Sequence, residues 1–103
     1  MSDKQQGKLS QKNELLSVKN VGAAMAATLN EVGIFTIEQL KNEDPRFLYL
    51  KISNAKSKLQ DTKMYDMCVA AVKSANGNTR HWSEWSKIRI EEIRTKMLML
   101  HSA

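Results

Sequence analysis

Residue types on which enzymes, metal sites and disulfide frameworks depend are scarce in this 103-residue sequence. The single cysteine, Cys68, excludes an internal disulfide, and two histidines, His81 and His101, are too few for a metal cluster with ordinary ligand spacing. There is no glycine-rich phosphate loop, no serine-nucleophile motif and no pair of carboxylates in apolar surroundings. We therefore expect a protein that is not an enzyme, uses no metal or other cofactor, and acts on no small-molecule substrate.

Long apolar runs are also absent. No segment approaches the roughly eighteen consecutive apolar residues that are needed to cross a bilayer. The N-terminus lacks the charged start and the apolar run of a secretion signal. We expect a soluble, cytoplasmic protein without a membrane partner.

Proline and aromatic residues are sparse, whereas residues that favour helix are plentiful. The chain has one proline and 6% aromatic residues, and it is rich in alanine, leucine, lysine and methionine. Its length suits one domain with one core. The sequence predicts an all-α fold, a compact bundle of five to six short helices that contains one helix-hairpin-helix. We expect residues 1–9 to be a flexible segment and residues 10–103 to form the single domain.

The stretch from Leu15 to Leu40 has the pattern of a helix-hairpin-helix. The turn Val18-Lys19-Asn20-Val21-Gly22 lies between two helical segments, and the first is expected to run from Ser10 to about Val18. The second has an apolar stripe with steps of four, four and three residues: Val21, Met25, Leu29 and Val32. Gly33 is placed to end that helix in the left-handed conformation. Thr36 and Gln39 have the spacing of a capping box for the next helix.

Three further helices are predicted downstream. Asp44-Pro45 is a helix start, with Phe47, Leu48 and Ile52 expected in the core. Asp61 caps a longer helix that ends at Asn76-Gly77. In a final helix, from about Ser86 to Leu100, one apolar stripe is expected to face inward: Ile90, Ile93, Met97 and Leu100. Ile88 and Met99 lie off that stripe and indicate a second contact surface.

The start of the hairpin's second helix has the features of a phosphate site. The amides from Val21 to Ala24 have no partners within that helix, and the helix dipole adds partial positive charge there. Lys19 can add its ammonium and Asn20 a hydrogen bond. We predict contacts with the DNA backbone, without base recognition, by six residues: Lys12, Lys19, Asn20, Val21, Gly22 and Ala23. The alternative is that the hairpin only packs two helices, with glycine at position 22 because they cross there.

A second basic segment could extend this contact. The net charge is +5, and between Pro45 and Gln60 there are four basic residues and no acidic one: Arg46, Lys51, Lys56 and Lys58. These cations either contact nucleic acid or are simply solvated.

Four short motifs resemble the C-terminal domain of the TfoX/Sxy family of bacterial competence regulators. They are Lys19-Asn20-Val21-Gly22, Gly33-Ile34-Phe35-Thr36, Asn76-Gly77 and Arg80-His81-Trp82. The resemblance spans roughly Leu15 to Ile93 and implies a module that acts in transcription regulation with DNA as a partner. His81 and Trp82 either share in that function or hold the link before the last helix onto the core.

A protein interaction module is the second hypothesis. In this interpretation a protein partner, or another copy of the chain, binds the acidic face of the hairpin or the last helix. The acidic face comprises Glu31, Glu38, Glu43 and Asp44, and the residues of interest on the last helix are Ile88 and Met99.

Overall fold

A computed structural model describes residues 13–102, without the side chain of residue 102. These residues form a short 3-10 helix and five α-helices, with no strand among them, which confirms the all-α prediction. The 3-10 helix is Glu14–Ser17, and the α-helices are α1 Ala23–Glu31, α2 Ile37–Lys41, α3 Pro45–Ala55, α4 Thr62–Ala75 and α5 Trp82–Ser102. The predicted flexible segment 1–9, the cap at Ser10 and the candidate residue Lys12 lie outside the described residues.

The predicted helix boundaries of the middle of the chain are confirmed by their caps. Thr36 Oγ1 accepts from the Gln39 amide at 3.0 Å, and Gln39 Oε1 accepts from the Thr36 amide at 3.1 Å, which completes the capping box. Gly33 is left-handed with φ +87°. Asp44 and Asp61 cap α3 and α4 through their carboxylates. Each cap satisfies amides that the first turn of a helix leaves free.

The core lies where α4 packs against α2 and α3, with α1 packed on α3. Its fully buried members include Leu29, Leu40, Leu48, Ile52 and Cys68, and each large apolar side chain contributes about 1.5–3 kcal/mol by leaving water. The prediction that Phe47 joins this core is wrong, because its side chain is 63% exposed. One helical position is a rotation of about 100°, so burial of Leu48 turns Phe47 away from α4.

The first limb of the hairpin differs from its prediction. Instead of a helix that continues to Val18, the described residues contain only the 3-10 helix Glu14–Ser17. Asn13 begins it, because its Oδ1 accepts from the Leu15 amide at 3.2 Å. Leu15 is fully buried but Leu16 is 47% exposed. The hairpin is therefore a single 3-10 turn followed by α1.

The predicted inward face of the last helix is also wrong. Helix α5 crosses α4 through Trp82, Trp85, Ser86 and Arg89, and every residue from position 90 to position 101 is exposed. The apolar stripe that begins at Ile90 lies on largely the same side of α5 as the four residues that contact α4. By Ile90, however, the helix has passed beyond α4. Nothing in the described part of the chain covers it. No helix between residues 13 and 102 has the length and hydropathy to cross a membrane.

Candidate functional site

The Asn20 side chain at the hairpin turn is used by the fold itself. Its Nδ2 donates to Ser74 Oγ at 3.1 Å and to the Arg80 carbonyl at 2.8 Å, and its Oδ1 accepts from the Trp82 amide at 2.9 Å. The residue has φ +76°, a conformation that asparagine tolerates better than most residues. Asn20 thus ties the turn to α4 and to the start of α5, and its amide is not free for a phosphate.

The start of α1 is only partly as predicted. The Val21 amide donates to the Val18 carbonyl at 3.0 Å, and the Val21 side chain is buried. Gly22 is the N-cap without a side-chain hydrogen bond, and Lys19, Gly22 and Ala23 are exposed. A Cβ on Gly22 would meet no atom within 4 Å, so close helix crossing does not explain this glycine.

The predicted basic segment is largely compensated by nearby acids. Arg46 pairs with Asp44 at 3.1 Å, Lys51 with Glu43 at 3.0 Å and Lys56 with Glu31 at 3.6 Å. The hydrogen bond from Arg46 lowers the pKa of Asp44 and raises the pKa of Arg46. Three of the four cations of the basic segment therefore pair with three of the four acids of the predicted acidic face. Lys58 and Glu38 lie outside these pairs.

A buried ion pair that sequence reasoning missed anchors α5 to α4. Asp66 is only 2% exposed, and it accepts from Arg89 Nε at 2.7 Å and Nη2 at 3.0 Å, as well as from the Ser86 hydroxyl. The bond to Asp66 raises the pKa of Arg89. The sequence gives no signal of this burial, because helical rotation places Asp66 about 180° from the apolar stripe of α4 that includes Cys68 and Ala71. A buried carboxylate needs a cationic partner, but spacing alone does not identify which one.

Two tryptophans hold the first turns of α5 against α4, beneath cationic side chains. Lys63 Nζ lies 5.0 Å from the Trp82 ring, and Lys73 Nζ and the Arg80 guanidinium lie 5.5 and 5.6 Å from the Trp85 ring. Trp85 also lines a cavity of about 210 Å³ between the two helices, and its buried Nε1 has no hydrogen-bond partner among residues 13–102. These contacts support the interpretation in which Trp82 holds the link before the last helix onto the core.

The exposed half of α5, from position 90 to position 101, holds six of the eleven large hydrophobic residues that are exposed in the described part of the chain. Ile90 and Ile93 are 49% and 48% exposed, Met97 54% and Leu100 76%. We call these four residues the α5 stripe. Two shallow grooves run along this half of the helix. One is lined by stripe residues with Arg94, Leu98 and His101, and the other by Ile88, Met99 and polar residues. An apolar strip that no part of the described chain covers is typical of an interaction surface.

Comparison with known proteins gives two matches and one negative result. The model of the Cdd1 family, described as "Pathogenicity locus", matches residues 8–91. The chain is similar to the "Mitomycin resistance protein McrB" of Streptomyces lavendulae, with 32% identity over 78 residues that cover 75% of this chain and 74% of the relative. No solved structure matches significantly.

These findings correct the family and the function predicted from the sequence. The resemblance to TfoX/Sxy is wrong, and with it the expected role in competence and transcription regulation. Neither the family's description nor the relative's name supports DNA binding. The motifs misled because a turn and helix caps satisfy general needs of the backbone, so helical domains of different families can share them.

Proposed function

The chain belongs to the Cdd1 pathogenicity-locus family, and from that premise we propose that it is a non-catalytic protein interaction module whose docking element is the exposed half of α5. The observation that carries this proposal is the α5 stripe, four apolar residues about half exposed or more on a helix end that extends beyond its own core. An unpaired stripe of this kind gains about 25 cal/mol for each Å² of apolar surface that a partner covers.

Two features of the fold suit α5 to this role. The buried Asp66–Arg89 pair fixes the helix to the core, so the stripe is held at a defined angle rather than on a loose tail. The stripe also lies mostly beyond residue 91, where the family match ends, so it is a feature of this chain that the match does not cover. A rigid, protruding helix loses little entropy on binding, which favours association.

We also propose that the chain acts without catalysis of its own and in the cytoplasm. Support for the first point is that the polar groups between α4 and α5, buried Asp66 and half-buried Ser86 and Arg89, bond to one another. Support for the second is that this small domain has one cysteine and is not held together by internal disulfides, as many small secreted domains are. Because the relative is named a mitomycin resistance protein, we propose to test the module in resistance to mitomycin.

The test uses a photoreactive residue placed at Met97 on the stripe or at Thr95 on the opposite side of α5. We expect crosslinked products from position 97 alone, and their loss when Ile93→Asn removes the stripe from an otherwise folded chain. In parallel, cells that produce wild type or Ile93→Asn are compared for survival in mitomycin. Equal crosslinking from both positions, or none from position 97, would overturn the proposal.

A further inference from the structure

We infer that the partner of the α5 stripe is an amphipathic helix of another protein whose apolar seam is bordered by acidic residues. This inference rests on the proposed function and specifies the chemistry of the partner. The stripe follows the three-four-three spacing of the first and fourth heptad positions, and its four residues span an arc of about 80° around α5. A seam this narrow fits the side of one partner helix.

The residues that border the stripe are basic on both sides. Lys87, Arg94 and His101 follow one edge, and Arg89 and Lys96 follow the other. Heptad geometry places these border positions against the border positions of a paired helix.

The availability of these bordering cations differs. Arg89 is engaged by Asp66, whereas Lys87 and Lys96 are exposed. Arg94 is also exposed, and its contact with Glu91, at 4.0 Å, is long and solvated. The acids of this half of α5, Glu91 and Glu92, lie towards the opposite side. The partner therefore meets an apolar seam between two positively charged edges.

A second copy of the chain is a poor occupant for this reason. Parallel pairing would bring one basic edge against the other, and antiparallel pairing would bring each edge against itself. Either arrangement sets like charges against each other along the whole seam, which is unfavourable.

The acidic residues of the hairpin are also a poor match. Glu31, Glu43 and Asp44 already bind cations of their own chain. Glu38 is the remaining acid of that face, and it lies on a helix of only five residues. A seam of four apolar residues needs about three turns of partner helix, so the charge pattern points to a different protein.

The probe is a set of three stapled peptides of about three heptads, with leucine in the seam and glutamate, glutamine or lysine at the borders. Fluorescence anisotropy measures their binding to the full chain at low and at near-physiological salt. We expect the glutamate peptide to bind about tenfold more tightly than the glutamine peptide, and the lysine peptide more weakly still. The preference should shrink as salt screens the edges.

Charge reversal provides the matched control. The double variant Arg94→Glu, Lys96→Glu should reverse the preference in favour of the lysine peptide. Lys19→Glu with Lys58→Glu changes the net charge equally but lies outside α5 and away from its exposed half, and it should leave the preference unchanged.

The outcomes separate this inference from the proposed function. Equal binding of all three peptides, lost in Ile93→Asn, would overturn the acidic partner and leave the docking role intact. If the chain were monomeric and bound none of the three peptides, both the acidic partner and the docking role of α5 would be overturned. Self-association through the stripe in sedimentation velocity would overturn the inference. So would binding of vesicles rich in phosphatidylglycerol, a surface that also suits a basic amphipathic helix, without preference for the glutamate peptide.

Discussion

The Asp66–Arg89 pair makes a strong prediction about what holds α5 in place. Replacing Arg89 with methionine keeps most of the side-chain volume but leaves a carboxylate that is 2% exposed with only the Ser86 hydroxyl as partner. Removing one member of a buried pair costs about 3–5 kcal/mol. Because the Arg89 side chain keeps 27% of its surface exposed, the lower end of that range applies, about 3 kcal/mol.

Urea unfolding followed by circular dichroism measures this cost. With a slope of about 1.5 kcal/mol per molar urea for a domain of this size, the midpoint of Arg89→Met should fall by about 2 M. Asp66→Asn should cost less, about 1–2 kcal/mol, because the freed guanidinium can turn to water. In the double variant the two losses should not add, and the coupling should be about 1–3 kcal/mol.

Arg94→Met is the matched control. Arg94 lies on the same helix and also approaches a carboxylate, that of Glu91 at 4.0 Å, but both side chains are about two-thirds exposed. Its loss should change the free energy of unfolding by less than about 0.5 kcal/mol. If Arg89→Met were no more destabilising than Arg94→Met, the argument that a buried pair anchors α5 would be wrong.

Three further predictions concern the turn, the glycines and the thiol. Asn20→Ala should destabilise the fold by about 1 kcal/mol more than Asn20→Gly in urea unfolding, because both lose the side-chain bonds but only alanine is strained at φ +76°. Gly33→Ala, at φ +87°, should cost about 1 kcal/mol, whereas Gly22→Ser, an N-cap with free space around it, should be neutral or stabilising by a few tenths of a kcal/mol. Burial raises the pKa of Cys68 from an ordinary 9.0 to about 12, so its alkylation at pH 8 should be slow until denaturant is added. Since folding raises the pKa of this thiol, its contribution to stability is complete below pH 9 and is lost as the pH rises towards 12.

Local signals in the sequence were enough for most of the fold. The caps at Thr36, Asp44 and Asp61 and the left-handed Gly33 lie where the sequence predicts them. Each depends on residues within a few positions, because a backbone amide is satisfied by a side chain close to it in the chain. The helical period of α4 likewise predicts one buried face, at Cys68, Ala71 and Val72. It does not predict the second, at Asp66, Ala70 and Ser74.

The contacts of Asn20 and the Asp66–Arg89 pair join distant parts of the chain. Asn20 lies sixty-two positions from the Trp82 amide that it caps, and Asp66 lies twenty-three from Arg89. Neither spacing has a local signature, so the first residue was predicted to bind phosphate and the second pair was not predicted at all.

The sequence by itself determined most of the helices and the caps at Thr36, Asp44 and Asp61, because periodicity and capping are local properties. It did not determine that α5 begins as early as Trp82. It also determined that α5 has an apolar stripe bordered by basic residues. Only the tertiary structure decided that this stripe is uncovered, because that depends on where α4 ends in space relative to α5. An apolar face is more stable when it is covered, and only packing shows whether the same chain provides the cover.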